Sequence, residues 1–126
     1  MHVRALSVLA AFFLGLSAFA QAPPSLDGRW SVKYPSMRGA TIEVNVVVTN
    51  GTGTWQALLK NRNDPCIGTE FPLAMTNATA EGVDVVVSGS KALQGCPDFV
   101  WRANRVDDKT YEGTLRDGRK FVMTRL

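Results

Sequence analysis

Thr41-Ile42-Glu43-Val44-Asn45-Val46-Val47-Val48-Thr49-Asn50-Gly51 is the stretch on which the fold turns. Ile42, Val44, Val46 and Val48 alternate with Glu43, Asn45 and Val47. Side chains repeating every two residues, apolar on one face and more polar on the other, describe a half-buried β-strand. Asn50-Gly51 follows, and that pair readily takes the positive-φ backbone of a two-residue hairpin. The chain therefore doubles back, and residues 53–60 read as the next strand, with Trp55, Ala57 and Leu59 on one face.

The same rhythm continues outward. Upstream, residues 29–34 place Trp30, Val32 and Tyr34 on one face before a turn begins at Pro35-Ser36. Downstream, residues 70–76 place Phe71, Leu73 and Met75 on one side, and Glu81-Gly82 turns the chain into the valine-rich strand 83–88. Strand 99–106 carries Trp101, and Asp107-Asp108-Lys109 is a turn. Strand 111–116 reaches a further hairpin signal at Asp117-Gly118, and strand 120–126 closes the chain. No segment holds a 3.6-residue period, so essentially no helix is expected. Eight short strands joined by turns predict an all-β fold, an antiparallel up-and-down meander. Closure into a small barrel removes the exposed edges of an open sheet.

Residues 1–20 read as a signal peptide rather than part of this fold. Met1-His2-Val3-Arg4 carries one positive charge, Ala5 to Ala20 is apolar or small, and Ala18-Phe19-Ala20 is a small-x-small cleavage pattern before Gln21. The apolar run is shorter than the ~20 residues that span a bilayer, and no basic stop-transfer cluster follows. The expected product is a single exported domain, residues 21–126, in the bacterial periplasm or secreted, with no membrane span. Of the 126 residues, removal of 20 leaves 106, and the net charge falls from +3 to +2 with the loss of Arg4. So small an excess, scattered except for Arg116, Arg119 and Lys120 around one turn, is no nucleic-acid footprint, and those three read as a solvated turn rather than a phosphate site. Export makes Cys66 and Cys96 a disulfide, since they allow one intramolecular pairing. The bond would tie the loop between strands three and four to the loop between strands five and six, two loops at one end of a meander.

The chemistry of catalysis is thin. The only histidine, His2, leaves with the leader, so Ser-His-Asp and Cys-His machinery is absent. Asp107-Asp108 sits in a turn, where adjacent acids point to solvent. Glu43 and Asp84 are candidates for inward carboxylates on strands, without an assigned partner. Asp64, Glu70 and Asp98 flank the disulfide loops without calcium-loop spacing. Neither an enzyme, a metal site nor a cofactor is expected.

What remains is aromatic. Trp30, Trp55 and Trp101 stand on three different strands, joined by Tyr34, Phe71, Phe99 and Tyr111, and in a closed barrel same-face side chains converge on the lumen. Tryptophan offers a broad apolar face and one donor, suited to a small ring or a sugar, or else simply fills the core.

These residues carry a resemblance. Leu26-Asp27-Gly28-Arg29-Trp30 resembles the G-x-W opening strand of the avidin and streptavidin family, and Gly53-Thr54-Trp55 is similar to its third strand, where tyrosine usually stands. Trp101 falls where the sixth strand of that family carries a pocket tryptophan, and Met123-Thr124-Arg125-Leu126 is similar to its closing strand. Cysteines in these two loops, with Phe71-Pro72-Leu73 nearby, resemble the disulfide of some bacterial dimeric avidins. The similarity runs over residues 26–126 and implies a binding barrel with a candidate pocket of Trp30, Val32, Ser36, Trp55, Phe99 and Trp101.

The departures are specific. Val32 stands where the family places an asparagine for the biotin ureido oxygen, while Ser36 stands in for the first-loop serine. Val85-Val86-Val87 lacks the fifth-strand tryptophan, none follows Trp101, and no aspartate lies near Lys120-Phe121. Unmade hydrogen bonds to a buried urea cost ~1–3 kcal/mol each, so tight biotin binding is not expected. The ligand expected is small and apolar or aromatic. The competing readings are an interaction protein, such as a periplasmic protease inhibitor, that uses its proline-stiffened lead, Gln21 to Leu26, and a purely structural envelope component with no pocket, which a side-chain-filled lumen would favour. The oligomeric state is left open by the sequence.

Overall fold

The computed structural model describes residues 23–59 and 63–126. The expected leader, the first two residues of the lead and Lys60 lie outside the described residues. Eight antiparallel strands follow in chain order and close into a barrel in which β1 pairs with β8. They are β1 (Gly28–Pro35), β2 (Thr41–Thr49), β3 (Thr52–Ala57), β4 (Phe71–Thr76), β5 (Gly82–Ser88), β6 (Asp98–Asp107), β7 (Thr110–Thr114) and β8 (Lys120–Arg125). The helical content among the described residues is one turn, α1 (Gly89–Ala92), inside the β5–β6 connection.

The alternation that marks β2 in the sequence is the alternation seen in space. Val44, Val46 and Val48 are buried, while Glu43 and Val47 are exposed. Asn50 and Gly51 have φ of 52° and 78°, and Thr49 pairs with Thr52 across them, the two-residue hairpin that their conformational freedom allows. Gly53 is required on β3, because a Cβ there would lie 1.7 Å from the Val47 carbonyl oxygen.

β3 stops short of its expected length. Its last pairing with β2 is Val44–Ala57, after which the Leu58 amide donates to the Glu43 carbonyl and the chain leaves the sheet. Leu59, expected on the buried face, is exposed, as is Leu58. β7 likewise ends at Thr114, because Leu115 and Arg119 close a three-residue hairpin with Gly118 at φ 90°. Glu43 and Asp84 do not face the lumen: Glu43 accepts from the Ser31 hydroxyl, and Asp84 pairs with Arg102 on the outer surface.

The lumen is filled by side chains. Trp30, Val32, Val44, Val46, Val85, Ala103, Tyr111 and Met123 are each no more than 2% exposed. Burial of a valine or a larger apolar side chain stabilises by about 1.5–3 kcal/mol, so this layer is the main source of stability.

The two ends of the barrel differ. One end gathers the β2–β3, β4–β5 and β6–β7 turns with the lead and the C-terminus. There Leu26 is buried, and its carbonyl accepts from the Trp30 indole N–H at 2.9 Å. The other end gathers the β1–β2, β3–β4, β5–β6 and β7–β8 connections. There Cys66 and Cys96 are bonded, with Cα atoms 5.5 Å apart, joining the β3–β4 and β5–β6 loops as the meander order implies.

Candidate functional site

Five aromatic rings meet at the disulfide end, and Trp101 of β6 is their centre. It lies 5.1 Å from Tyr34 and 5.0 Å from Trp55, both edge to face, 5.0 Å from Phe121 in a stack, and 5.1 Å from Phe99. Trp55 also meets Phe99 edge to face at 5.4 Å. These residues come from β1, β3, β6 and β8, and each sits at an inward position of its strand, so the pleat of four separate strands aims them at one another. Edge-to-face and offset pairs at this spacing contribute about 0.5–1.5 kcal/mol each beyond burial. Burial raises the Tyr34 hydroxyl above its ordinary pKa, against the lowering influence of the Arg119 guanidinium.

Beside this cluster the barrel wall has an open seam. β6 is ten residues long and β7 five. The β6–β7 pairing starts at Asn104–Glu112, and a bulge at Val106 lets Arg105 and Asp107 face consecutive residues of β7, Tyr111 and Thr110. Residues 98–103 of β6 have register partners on β5 alone. Gly113 still lies against Arg102, where a Cβ would be 2.3 Å from the Arg102 carbonyl oxygen. Beyond that point the β7–β8 hairpin and β6 diverge around a cavity of about 620 Å³. Phe99 and Trp101 line it from the inward face, Val86 and Val100 from the outer face, and Leu115, Arg116 and Arg119 from the hairpin. A volume of this size falls within the range of small-molecule sites, ~300–1,000 Å³.

The walls of the seam are fixed by polar contacts. Arg119 donates from Nε to Asp117 at 2.8 Å and from Nη1 to the Pro35 carbonyl at 2.8 Å, which braces the hairpin against the end of β1. The Arg119 amide and then its side chain hold the Asp117 carboxyl below the ordinary aspartate pKa. At the start of β6, the Ser90 amide and hydroxyl donate to Asp98, holding that carboxyl low and tying α1 to the strand. Arg116 is exposed on the cavity rim and has no hydrogen bond or ion pair among the described residues. The site therefore offers an aromatic and apolar floor, a free strand edge, one uncommitted cation at Arg116 and the Asp98 carboxylate, which is bonded to Ser90 and in no ion pair among the described residues.

Of the six pocket candidates, Phe99 and Trp101 line this cavity, and Trp55 backs them. Trp30 packs at the opposite end, edge to face with Tyr111 at 5.6 Å. Val32 is sealed in the middle layer, paired with Val44 and Met123. Ser36 is occupied by its own turn, its hydroxyl oxygen accepting from the Arg38 and Ala40 amides. Lining residues outside those six include Val86, Val100, Leu115, Arg119 and Arg116, the last two expected only as part of a solvated turn. The unbroken run Val85-Val86-Val87 held a signal for the first, because a strand apolar on both faces is one that something covers. No group of His, Cys, Asp or Glu able to hold a metal ion occurs among the described residues.

A closed eight-stranded meander with a side cavity is the class of protein that the fold and the site define. No protein-family model, no curated protein and no solved structure matches the chain.

Proposed function

We propose that this chain is a small exported binding protein, built on an avidin-like barrel, that takes an apolar or aromatic ligand at the β6–β7 seam and does not bind biotin tightly. The observation that carries this reading is the cavity of about 620 Å³ with Phe99 and Trp101 as its floor, beside a lumen already filled by Val32, Val44, Val85 and Met123. A ligand placed along the barrel axis would have to displace that layer; a ligand in the seam displaces only solvent. The disulfide, and the finding that no helix among the described residues is long and apolar enough to cross a membrane, are compatible with export. The reading as an interaction protein draws support from the free edge of β6, since unpaired strand edges invite another chain.

Two titrations followed by tryptophan fluorescence test the proposal. Biotin is expected to give no nanomolar transition. The dye 8-anilinonaphthalene-1-sulfonate, an aromatic ring system with one anionic group, is expected to bind in the micromolar range and to weaken in Val100→Asp and Arg116→Glu. Nanomolar biotin binding, or dye binding indifferent to both substitutions, would sink it.

A further inference from the structure

We infer that the partner taken up in the seam is an extended peptide segment that adds to the edge of β6, with an apolar side chain against Val100 and a carboxylate facing Arg116. The inference rests on the seam being a binding site and names the class of ligand it takes.

The backbone of β6 supplies the first reason. The Ala103 carbonyl oxygen lies toward Gly82 of β5, the Arg105 amide donates to Glu81, and the Pro97 carbonyl accepts from Gly89. Odd-numbered residues of β6 thus direct their backbone groups to the β5 side. The Arg102 carbonyl oxygen lies instead toward Gly113 of β7, so even-numbered residues point the other way. At Asp98 and Val100 that other way is the cavity, and among the described residues no strand pairs with them there. Their N–H and C=O groups recur every second residue, at about 6.6–7 Å. A small rigid ring can meet one such set; a strand meets the series.

The second reason is the side chains. Val100 is 59% exposed and pairs across the outer surface with Val86, an apolar row that an outward side chain of a strand added at the β6 edge would extend by packing beside Val100. On the opposite wall Arg116 is uncommitted, whereas Arg119 and Arg102 are each already paired with an aspartate. Asp98 also lines the cavity, its carboxylate bonded to Ser90 and in no ion pair among the described residues, so the acidic residue of an otherwise apolar or β-branched segment belongs at the Arg116 wall and not at the start of β6.

The experiment uses the oxidised protein and two probes, the peptide acetyl-Thr-Val-Glu-Val-Thr-amide and a twin N-methylated at its three central residues. Amide NMR is expected to show shifts at Val100 and Arg102 on adding the first peptide, slower hydrogen exchange at Val100, and no such change with the twin. Arg116→Glu is expected to weaken binding about threefold to tenfold, the loss of one charge-assisted contact. A Glu→Lys peptide should restore it. Val100→Pro removes the edge N–H while leaving the β5 ladder intact, a substitution that edge strands tolerate, and should weaken binding similarly. If the anilinonaphthalene dye occupies the seam but the peptide leaves Val100 unmoved, the peptide is overturned and the site stands. If neither binds, both fall. Protection of Val100 that grows with protein concentration in the absence of peptide would overturn the inference in favour of a second copy as occupant.

Discussion

The Arg125 guanidinium carbon lies 4.3 Å from the centre of the Trp30 ring, while the same guanidinium donates to the Asp27 and Ser25 carbonyls at 2.6 and 2.8 Å. One side chain from the last strand therefore fastens the lead to the barrel and covers the ring that closes that end. Arg125→Ala is expected to lower stability by about 1–3 kcal/mol, from charge-assisted hydrogen bonds and a cation–π contact. Arg125→Lys should recover only part of this, because a point charge cannot serve both carbonyls from one planar fork. Urea midpoints at constant slope measure it.

The lead is also held from inside. Leu26 is 7% exposed, and the Asn50 amide donates to the Asp27 side chain at 2.9 Å. Leu26→Ala is expected to cost about 2–4 kcal/mol, the range for removing a buried leucine, and to shift Trp30 emission to the red. Deletion of residues 21–26 would then weaken the barrel itself, so a test of protease inhibition through the lead should truncate no further than Pro24. Inhibition lost by that shorter truncation, with the urea midpoint unchanged, would favour the inhibitor reading.

Reduction of the disulfide should act through the unfolded chain. Cys66 and Cys96 are 30 residues apart, and the cross-link is worth roughly 3–4 kcal/mol in the chain-entropy model. A Cys66→Ala, Cys96→Ala double variant is expected to keep its strand content by circular dichroism and to unfold at a clearly lower urea concentration. It should also loosen the loops beside Phe99, weakening the anilinonaphthalene dye.

Stability should fall at both pH extremes, for opposite reasons. Asp84, Asp98 and Asp117 are held below the ordinary aspartate value, so their contribution is full above about pH 4 and is lost as pH drops through their folded values. Replacing Ser90 with Ala removes a donor to Asp98 and should flatten the acid limb. Burial raises the pKa values of Tyr34 and Tyr111, so the folded state resists their ionisation. Their contribution is full below about pH 10 and declines as pH rises through the folded values. Urea midpoints from pH 2.5 to 11 would show both limbs.

Trp101 is where stability and the site meet. With four rings within 5.1 Å of it, Trp101→Ala is expected to cost about 3–5 kcal/mol. Phe99→Leu, which keeps an apolar floor, should cost much less and still weaken the dye. A Trp101→Ala variant with an unchanged urea midpoint would show that the ring cluster is not a structural unit.

Much of this was legible residue by residue. β2 matches its expected span, and every other strand except β3 lies within two residues of its own at each end, because alternation and turn chemistry are local. The meeting of Trp55, Phe99 and Trp101 followed from their inward parity. The removal of Trp30, Val32 and Ser36 from the cavity did not, since parity says which way a side chain points and nothing about its height along the barrel. Trp30 and Tyr34 share a face of β1, yet they lie at opposite ends of the lumen, against Tyr111 and Trp101 respectively.

By itself, the sequence determined an all-β chain of eight strands, the pairing of its two cysteines and the convergence of its aromatic residues. All three rest on period-two patterning, turn residues and the count of sulfurs. Only the tertiary structure decided that the lumen is full and that the wall opens between β6 and β7. Both depend on register, on how far each strand extends past its neighbour, and on a bulge at Val106. Those quantities belong to pairs of strands, and no single strand's residues contain them.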